Sequence, residues 1–325
     1  MPSFLISGAT GFIGRRLVAD LAEAGHAVRR ALRRHVQALR GIGDVVVGDV
    51  DGHTDWRTAL QGIDVVVHLA ARVHVLRETA RDALAAFRET NVHGTERLAR
   101  AAAAAGVGRL VLLSSAGVHG LAAHTSALTE AAPAAPHTAY AQSKWEAEQA
   151  LRDAAVQTGL STCVLRPPLV YGPQDPGNLL RLVRLVARGV PLPFASVRNR
   201  RSLVYVGNLS SAIVTCALHQ AAGSRTYLVR DGQDVSTPEL IELIATSLGR
   251  PRARLFAVPP ALLQAGAAVF GQRTAMSALL GSLALDDSAI RAELGWKPRW
   301  SLEEGLRQTL DWYKSSLPGP RDGAR

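Results

Sequence analysis

Tyr140 and Lys144 lie one helical turn apart, and Ser115 precedes the tyrosine by 25 residues. Residues four apart share one face of a helix, so the phenol and the ammonium can meet in one cleft. A free tyrosine has a pKa of roughly 10, and a nearby positive charge favours its phenolate form. The spacing predicts a proton-transfer site in which Tyr140 exchanges a proton, Lys144 lowers the pKa of Tyr140, and Ser115 hydrogen-bonds the reacting oxygen.

A glycine-rich turn near the amino terminus indicates a dinucleotide site. A short apolar segment at residues 4–6 leads into Gly8, Gly11 and Gly14, and a helical pattern follows over residues 15–24. Glycines allow the backbone to approach a diphosphate, and a helix N-terminus offers N–H groups and a positive dipole end. The spacing differs from the more familiar Gly-x-Gly-x-x-Gly, so the order strand, turn, helix carries the prediction.

The residues after the second strand bear on which dinucleotide is bound. A dinucleotide-binding unit usually has an acid about 20 residues further on, where it holds the ribose 2′-hydroxyl. Here every charged residue between Glu23 and Asp44 is basic. Arginine can pair with a 2′-phosphate, and Arg33 is the best candidate. NAD and NADP therefore both remain open as the cofactor, with solvent-exposed arginines as the alternative interpretation.

Apolar strand-like segments alternate with helical segments in the first half of the chain. The later segments of this kind are residues 45–47, 65–69, 110–113 and 162–165. This alternation predicts an α/β fold with a Rossmann-type, doubly wound parallel sheet. Longer helices with proline breaks follow, and they predict a smaller mixed α/β substrate-binding lobe. We expect a dinucleotide-binding domain at 1–173, a lobe at 174–314 that interleaves with it, and a disordered tail at 315–325.

Composition supports a well-cored protein, since 47% of the 325 residues are hydrophobic and 20% are charged. Cys163 and Cys216 are predicted to be buried apolar residues, not a disulfide or a metal site, which fits a reducing cytoplasm. No signal peptide is expected, because no basic leader precedes an apolar run. Polar residues interrupt the apolar stretch 259–285, so a pair of core or lid helices is expected and not a membrane span.

The net charge of +10 raises the question of nucleic acid binding. Arginine is spread along the chain and aromatic residues make up 5%, without a stacking platform or a recognised reading motif, so no nucleic acid partner is predicted. One local cluster, Arg198, Arg200 and Arg201, would suit an anionic diphosphate, with a solvated loop as the alternative interpretation.

Together these motifs resemble the extended short-chain dehydrogenase/reductase family, in the branch of NAD-dependent epimerases and dehydratases that act on nucleotide sugars. The resemblance covers nearly the whole chain. Its markers are residues 8–14, 48–50, 68–71, 91, 114–115, 140, 144, 166–173 and 293–296.

The resemblance implies further site residues and an assembly. Together with Arg33, the predicted cofactor-binding residues are Gly8, Gly11, Phe12, Ile13, Gly14, Asp49, Val50, Leu69, Ala70, Ala71, Asn91, Ser114, Tyr140, Lys144 and Pro167. Asp49 matches an adenine contact, and Lys144 also holds the nicotinamide ribose. Ser115, Asn178, Leu179 and Arg201 match contacts to a nucleotide-diphosphate sugar. A homodimer is implied through paired helices that include residues 91–105 and 140–157.

The residues after Ser115 narrow the reaction. Sugar 4,6-dehydratases of this family carry Asp-Glu there, whereas this chain has Ala116 and Gly117. No acid at these positions could protonate a leaving hydroxyl group, so dehydration is disfavoured. We expect oxidation or reduction at sugar C4, by a 4-epimerase or a 4-ketoreductase of a UDP-hexose or UDP-N-acetylhexosamine in surface polysaccharide biosynthesis. Departures from the epimerase pattern at Leu169, Leu279 and Ser282 leave the nucleotide and the reaction open. The alternatives are an NADP-dependent reductase of a non-sugar ketone or alcohol and a non-catalytic dinucleotide-sensing protein.

Overall fold

The computed structural model of the chain describes residues 1–34, 43–73, 82–120, 126–269 and 273–317. The strands in these ranges are β1 Ser3–Ser7, β2 Ala27–Leu32, β3 Gly43–Val46, β4 Val65–His68, β5 Arg109–Leu113, β6 Ser161–Arg166, β7 Leu169–Tyr171, β8 Arg201–Tyr205, β9 Arg225–Leu228 and β10 Asp234–Val235. The α-helices are α1 Phe12–Glu23, α2 Arg57–Leu60, α3 Ala83–Arg88, α4 Gly94–Ala104, α5 Ala139–Thr158, α6 Asn178–Ala187, α7 Val206–Leu218, α8 Thr237–Ser247, α9 Pro260–Val269, α10 Arg273–Leu280, α11 Ser288–Leu294 and α12 Leu302–Ser315.

Seven strands form a parallel sheet in the order β3-β2-β1-β4-β5-β6-β9. The chain runs outward in one direction from β1 to β3 and returns to start the other half at β4, so the sheet has its switch point between β1 and β4. Ligands of open α/β sheets bind at the carboxyl ends of the strands at such a point. The predicted Rossmann-type sheet is confirmed.

Both faces of this sheet are covered by helices, which is why its strands read as apolar runs. In β1, Phe4 and Ile6 join a core with α1 and α7 on one face, while Leu5 joins a core with α2, α4 and α5 on the other. Cys163 and Cys216 are buried and free, as predicted. The cores on both faces hold the strands in position, and therefore also the loops that follow their carboxyl ends.

A smaller sheet in the order β10-β8-β7 is mixed, with β7 and β8 parallel and β10 antiparallel to β8. Its core includes residues of α6, α8 and α12. β9, although late in the sequence, pairs with β6 in the large sheet. The domain boundaries at 173 and 314 stay a prediction, and most of the expected disordered tail, residues 318–325, lies outside the described residues.

The first helix begins at Phe12, three residues earlier than the predicted 15, because Gly11 already occupies the N-cap position. The stretch 259–285 contains the two packed helices α9 and α10, as expected. In the described ranges, no helix is long and apolar enough to cross a membrane.

Candidate active site

Ser115 and Tyr140 each lie at the N-terminal end of a helical segment, and these two segments pack against each other. Ser115 caps a 3₁₀ turn, Ala116–His119, at the end of β5, and its Oγ accepts a hydrogen bond of 3.1 Å from the Gly117 backbone N–H. α5 packs against this turn and begins at Ala139, beside Tyr140, with the side chain of Thr138 as its cap. The fold therefore brings the serine turn and the first turn of the Tyr140 helix together.

Tyr140 is partly buried, and its ring lies 6.2 Å from that of Phe87 in an edge-on arrangement. Burial raises the pKa of Tyr140 to about 12. This direction is opposite to the predicted lowering by Lys144, because removal of the phenol from water disfavours the phenolate. Proton abstraction by Tyr140 therefore requires positive charge beside the phenol that offsets its burial.

Lys144 is 3% exposed and lies one turn further along α5. Burial lowers the pKa of Lys144 to about 8, and the negative charge of Glu148 opposes this effect. The neighbouring His68 is also buried, and burial together with Lys144 lowers the pKa of His68 to about 3. At neutral pH the site therefore contains an ammonium and a neutral imidazole.

A buried ion pair anchors α5 beneath the catalytic candidates. Glu148 receives hydrogen bonds from Arg166 at 2.6–3.2 Å and from the hydroxyl of Ser114. Arg166 also lies 3.1 Å from a ring nitrogen of His119 and faces the Trp145 ring. The backbone of Pro167, next to Arg166, accepts a hydrogen bond from the Ala116 N–H. Ser114 and Pro167 therefore hold the serine turn in place.

The glycine turn fits a dinucleotide diphosphate. Gly8 has φ +71°, and a Cβ there would lie 2.7 Å from the backbone nitrogen of Ala70. A Cβ on Gly14 would lie 2.2 Å from the Gly8 carbonyl oxygen. Gly11 caps α1 without a side-chain hydrogen bond, and the first turn of α1 has no acidic residue. Phe12 and Ile13 occupy that turn, whose N–H groups and dipole favour an anion.

The end of β2 presents two arginines beside the glycine turn. Arg33 and Arg34 are exposed and line a pocket with Thr10 and Leu32. Arg33 makes an ion pair of 2.6 Å with Asp49, and both side chains are largely exposed, at 72% and 74%. Arg33, the candidate for binding a 2′-phosphate, and Asp49, the predicted adenine contact, thus neutralise one another's charge in this structure.

The loop after β3, which contains Val50, packs against the start of α4. Val50 is partly buried and packs so close to Gly94 that a Cβ on that glycine would lie 2.7 Å from its side chain. The contact keeps the loop after β3 against α4 and therefore fixes the position of Asp49.

Asn91 positions the segment that follows β4. A π-helical turn, Glu89–His93, contains Asn91, whose side chain exchanges two hydrogen bonds with the backbone of Arg72 at 2.8 and 3.1 Å. Its amide also donates to the hydroxyl of Ser143 at 2.8 Å, and Ser143 donates to the Tyr140 carbonyl oxygen. Asn91 therefore joins the segment after β4 to the Tyr140 helix.

The predicted cofactor run Leu69, Ala70 and Ala71 is partly buried beside this link. The Ala70 N–H donates to the Ser7 hydroxyl at 3.3 Å, and that hydroxyl lies 2.6 Å from His68 Nδ1. Ser7 was not predicted from the sequence, although its position at the carboxyl end of β1, where ligands of such sheets bind, would have indicated a role at the site.

Three of the four predicted substrate residues lie on the smaller lobe, and the fourth, Ser115, follows β5 of the large sheet. Asn178 and Leu179 begin α6, and the Leu179 side chain is buried in the lobe core, so only its backbone can meet a ligand. Arg201 begins β8, donates to the Gly281 carbonyl oxygen at 3.2 Å and has its pKa lowered by burial. Within the described ranges, no group of three or more His, Cys, Asp or Glu residues could hold a metal ion.

Residues 4–229 match the NAD dependent epimerase/dehydratase family. The chain is 38% identical to a UDP-glucose 4-epimerase of Vibrio cholerae over 96% of this chain and 95% of that protein. It is 32% identical to a dTDP-glucose 4,6-dehydratase of Streptomyces griseus, over 95% and 93%. The solved structure of MoeE5 in complex with UDP-glucuronic acid and NAD has a TM-score of 0.78 and 27% identity, and the match covers 97% of this chain and all of that one.

Given this fold, the glycine turn and these matches, the chain belongs to the NAD dependent epimerase/dehydratase family and is an enzyme of that family. The family resemblance drawn from the sequence is confirmed.

Proposed function

We propose that this enzyme is a nucleotide-sugar 4-epimerase that acts on a UDP-hexose or UDP-N-acetylhexosamine in cytoplasmic biosynthesis of a surface polysaccharide. The main support is full-length similarity to a UDP-glucose 4-epimerase, in a chain that retains Ser115, Tyr140 and Lys144 on packed elements. A homodimer is part of the proposal, by analogy with the family.

In this proposal Tyr140 takes the proton from the C4 hydroxyl and later returns one to the C4 ketone. Ser115 donates a hydrogen bond to the same oxygen, and Lys144 holds the ribose and contributes positive charge. The dinucleotide, when bound, supplies the hydride acceptor and donor at C4. Burial raises the pKa of Tyr140 to about 12, so the phenol would lose its proton only with positive charge beside it, which Lys144 and an oxidised dinucleotide would supply.

Dehydration is the less favoured reaction, although a 4,6-dehydratase is among the relatives. A dehydratase needs an acid and a base near the leaving hydroxyl. Ala116 and Gly117 occupy the positions after Ser115, and the buried Glu148 is already paired with Arg166. The described turn therefore has no carboxyl group free for this role.

A 4-ketoreductase is the second candidate, and the arginines at the end of β2 favour it. A reductase must bind fresh reduced cofactor in each cycle, and Arg33 with Arg34 could select NADPH through its 2′-phosphate. Asp49 weakens this argument, because its carboxylate already pairs with Arg33. NAD, which is bound in the solved relative, is therefore the cofactor that we favour.

The first experiment is to denature the purified enzyme and identify the released nucleotide by chromatography. An epimerase regenerates its cofactor in each cycle and is expected to release close to one equivalent of NAD. Protein that is purified empty and binds NADPH more tightly than NADH would instead support the ketoreductase.

The second experiment follows conversion of UDP-glucose and UDP-N-acetylglucosamine to their C4 epimers by NMR, in wild type and Tyr140→Phe. The variant loses only the phenol oxygen, so its rate is expected to fall by about 10² to 10⁴ with an unchanged thermal unfolding midpoint. Tyr313→Phe, on the partly buried surface of α12, is the control. Full activity in Tyr140→Phe would contradict the proposed mechanism.

A further inference from the structure

The net positive charge of this protein is concentrated in residues 176–285, which include most of the smaller lobe. Arginines occur throughout the chain, but residues 176–230 and 243–285 contain no aspartate or glutamate. Residues 176–285 hold twelve arginines against four carboxylates, a net of +8 out of +10 for the whole chain. Such a surplus of arginine favours binding of this part of the chain to an anionic partner.

One part of this charge lies on the outer side of α6. Leu182, Val183 and Val186 are buried in the lobe core, whereas the opposite side presents Arg181, Arg184, Leu185 and Arg188 to solvent. The arginines are spaced at three and four residues, so they form a single stripe along the helix. Among the described residues, none of the three makes an ion pair within 4.0 Å.

A second part joins the end of that stripe. Arg250 donates a hydrogen bond to the carbonyl oxygen of Ala187, the last residue of α6. Beyond it, the backbones of Leu192 and Phe256 are hydrogen-bonded, which places the extended segment 252–256 against the segment that follows α6. The two segments and α6 therefore form one continuous surface.

The side chains of segment 252–256 alternate. Ala253 and Leu255 pack against the lobe core, while Arg252, Arg254 and Phe256 are exposed on the other side. Phe256 is 48% exposed, although a phenyl ring is normally removed from water. Two guanidinium groups and an aromatic ring thus share the outer side.

The apolar helix α9 follows directly. Residues 255–269 contain no charged side chain. Within α9, Leu262 is 63% exposed and lies between the exposed Ala261 and the polar Gln264, while Ala267 is buried. Val190, between α6 and the extended segment, adds a further exposed apolar side chain.

We propose that this basic and apolar surface docks on a bilayer that contains anionic phospholipid. The surface consists of Arg181, Arg184, Leu185, Arg188, Val190, Arg250, Arg252, Arg254, Phe256 and Leu262. Arginines attract the anionic leaflet, and exposed apolar side chains gain free energy when they enter the interface between headgroups and acyl chains. A nucleic acid would use the charge but would leave Phe256 and Leu262 without apolar partners.

The elements that carry this surface pack on the core of the smaller lobe, not on the core of the seven-stranded sheet. The surface shares its lobe with the predicted substrate residues Asn178 and Arg201, so the enzyme would work beside the membrane without entering it. This inference does not depend on whether the enzyme is an epimerase or a ketoreductase.

The test is sedimentation of the full-length enzyme with vesicles of phosphatidylcholine alone and of phosphatidylcholine mixed with phosphatidylglycerol. We expect binding only to the mixed vesicles, with a decrease at high salt. Arg181→Gln/Arg184→Gln/Arg188→Gln is expected to weaken binding roughly a hundredfold, on the basis of the usual contribution of each arginine near an anionic surface. Phe256→Ser/Leu262→Ser is expected to weaken binding that persists at high salt.

The control is Arg57→Gln/Arg225→Gln/Arg299→Gln, which removes the same charge from exposed positions outside this surface. An unchanged thermal unfolding midpoint identifies variants that remain folded. No binding of the wild type to anionic vesicles would overturn the proposal. Equal losses in the control triple variant would overturn it too, and so would binding to nucleic acid or to a second copy of the chain in place of vesicles.

Discussion

Lys144 shows how burial sets the charge of a single residue. Its ammonium is nearly inaccessible to water, and burial moves its pKa from 10.5 to about 8. The charged form therefore costs about 3 kcal/mol in the folded enzyme. This net cost already includes the opposing effect of the negative charge of Glu148, one turn away.

The pKa of Lys144 predicts a pH dependence of stability. Between about pH 8 and about pH 10.5 the folded enzyme has released the proton that the unfolded chain still binds, so stability rises with pH in this window. We expect the free energy of unfolding of wild type, relative to Lys144→Met, to increase by about 3 kcal/mol across it. Urea denaturation at both ends of the window measures this difference, with Lys297→Met, at an exposed position, as the control. A constant difference would contradict the lowered pKa.

At the scale of elements, a buried ion pair attaches α5 to the sheet in addition to the apolar core that they share. Glu148 on α5 and Arg166 at the end of β6 have side chains that are 0% and 5% exposed. Ser114 at the end of β5 bonds the same carboxylate. The helix that carries Tyr140 is therefore joined to two adjacent strands, one of which leads directly into Ser115.

Substitution of this carboxylate is expected to be costly. In Glu148→Gln the guanidinium of Arg166 stays buried without a counter-ion, so the free energy of unfolding should fall by about 3–5 kcal/mol. Glu146→Gln, on the same helix, removes the partly exposed pair with Arg88 and should cost about 1 kcal/mol or less. Urea denaturation compares the two variants. Similar losses in both would show that the buried pair has no special importance.

At the scale of the whole molecule, Asp231 joins the two sheets. It follows β9 of the large sheet, and its carboxylate accepts hydrogen bonds from the Tyr205 N–H at 2.8 Å and from the Tyr171 hydroxyl at 2.7 Å, both in the small sheet. Asn208 on α7 donates to it as well and accepts from the backbone of Trp300. The lobe and the large sheet thus share one buried polar group.

Loss of this group should weaken both parts together. Asp231→Asn replaces an acceptor with a donor, and we expect a cost of about 1–3 kcal/mol in the free energy of unfolding. Near-ultraviolet circular dichroism and loss of activity should follow the same shifted transition. Asp311→Asn, at an exposed pair on α12, should leave the transition unchanged. Separate transitions in Asp231→Asn would show that the lobe melts independently.

The charge of the whole molecule was only partly accessible to sequence reasoning. The net charge of +10 and the spread of arginine along the chain indicate a basic surface, but they do not locate the charge on the folded protein. The assembly of Arg181, Arg252 and Phe256 on one surface depends on the pairing of two segments that are about sixty residues apart in the chain. Only the folded lobe shows that the charge lies beside exposed apolar side chains.

The sequence by itself determined the parallel sheet, the glycine turn and the placement of Tyr140 and Lys144 one turn apart on a helix. These features depend on residues close together in the chain, where the periods of strands and helices fix which side chains meet. The tertiary structure decided the rest. It buries Tyr140 and Lys144, so that their pKa values follow desolvation, and it pairs Arg33 with Asp49. Burial and distant contacts depend on how the elements pack, and local patterns do not contain that information.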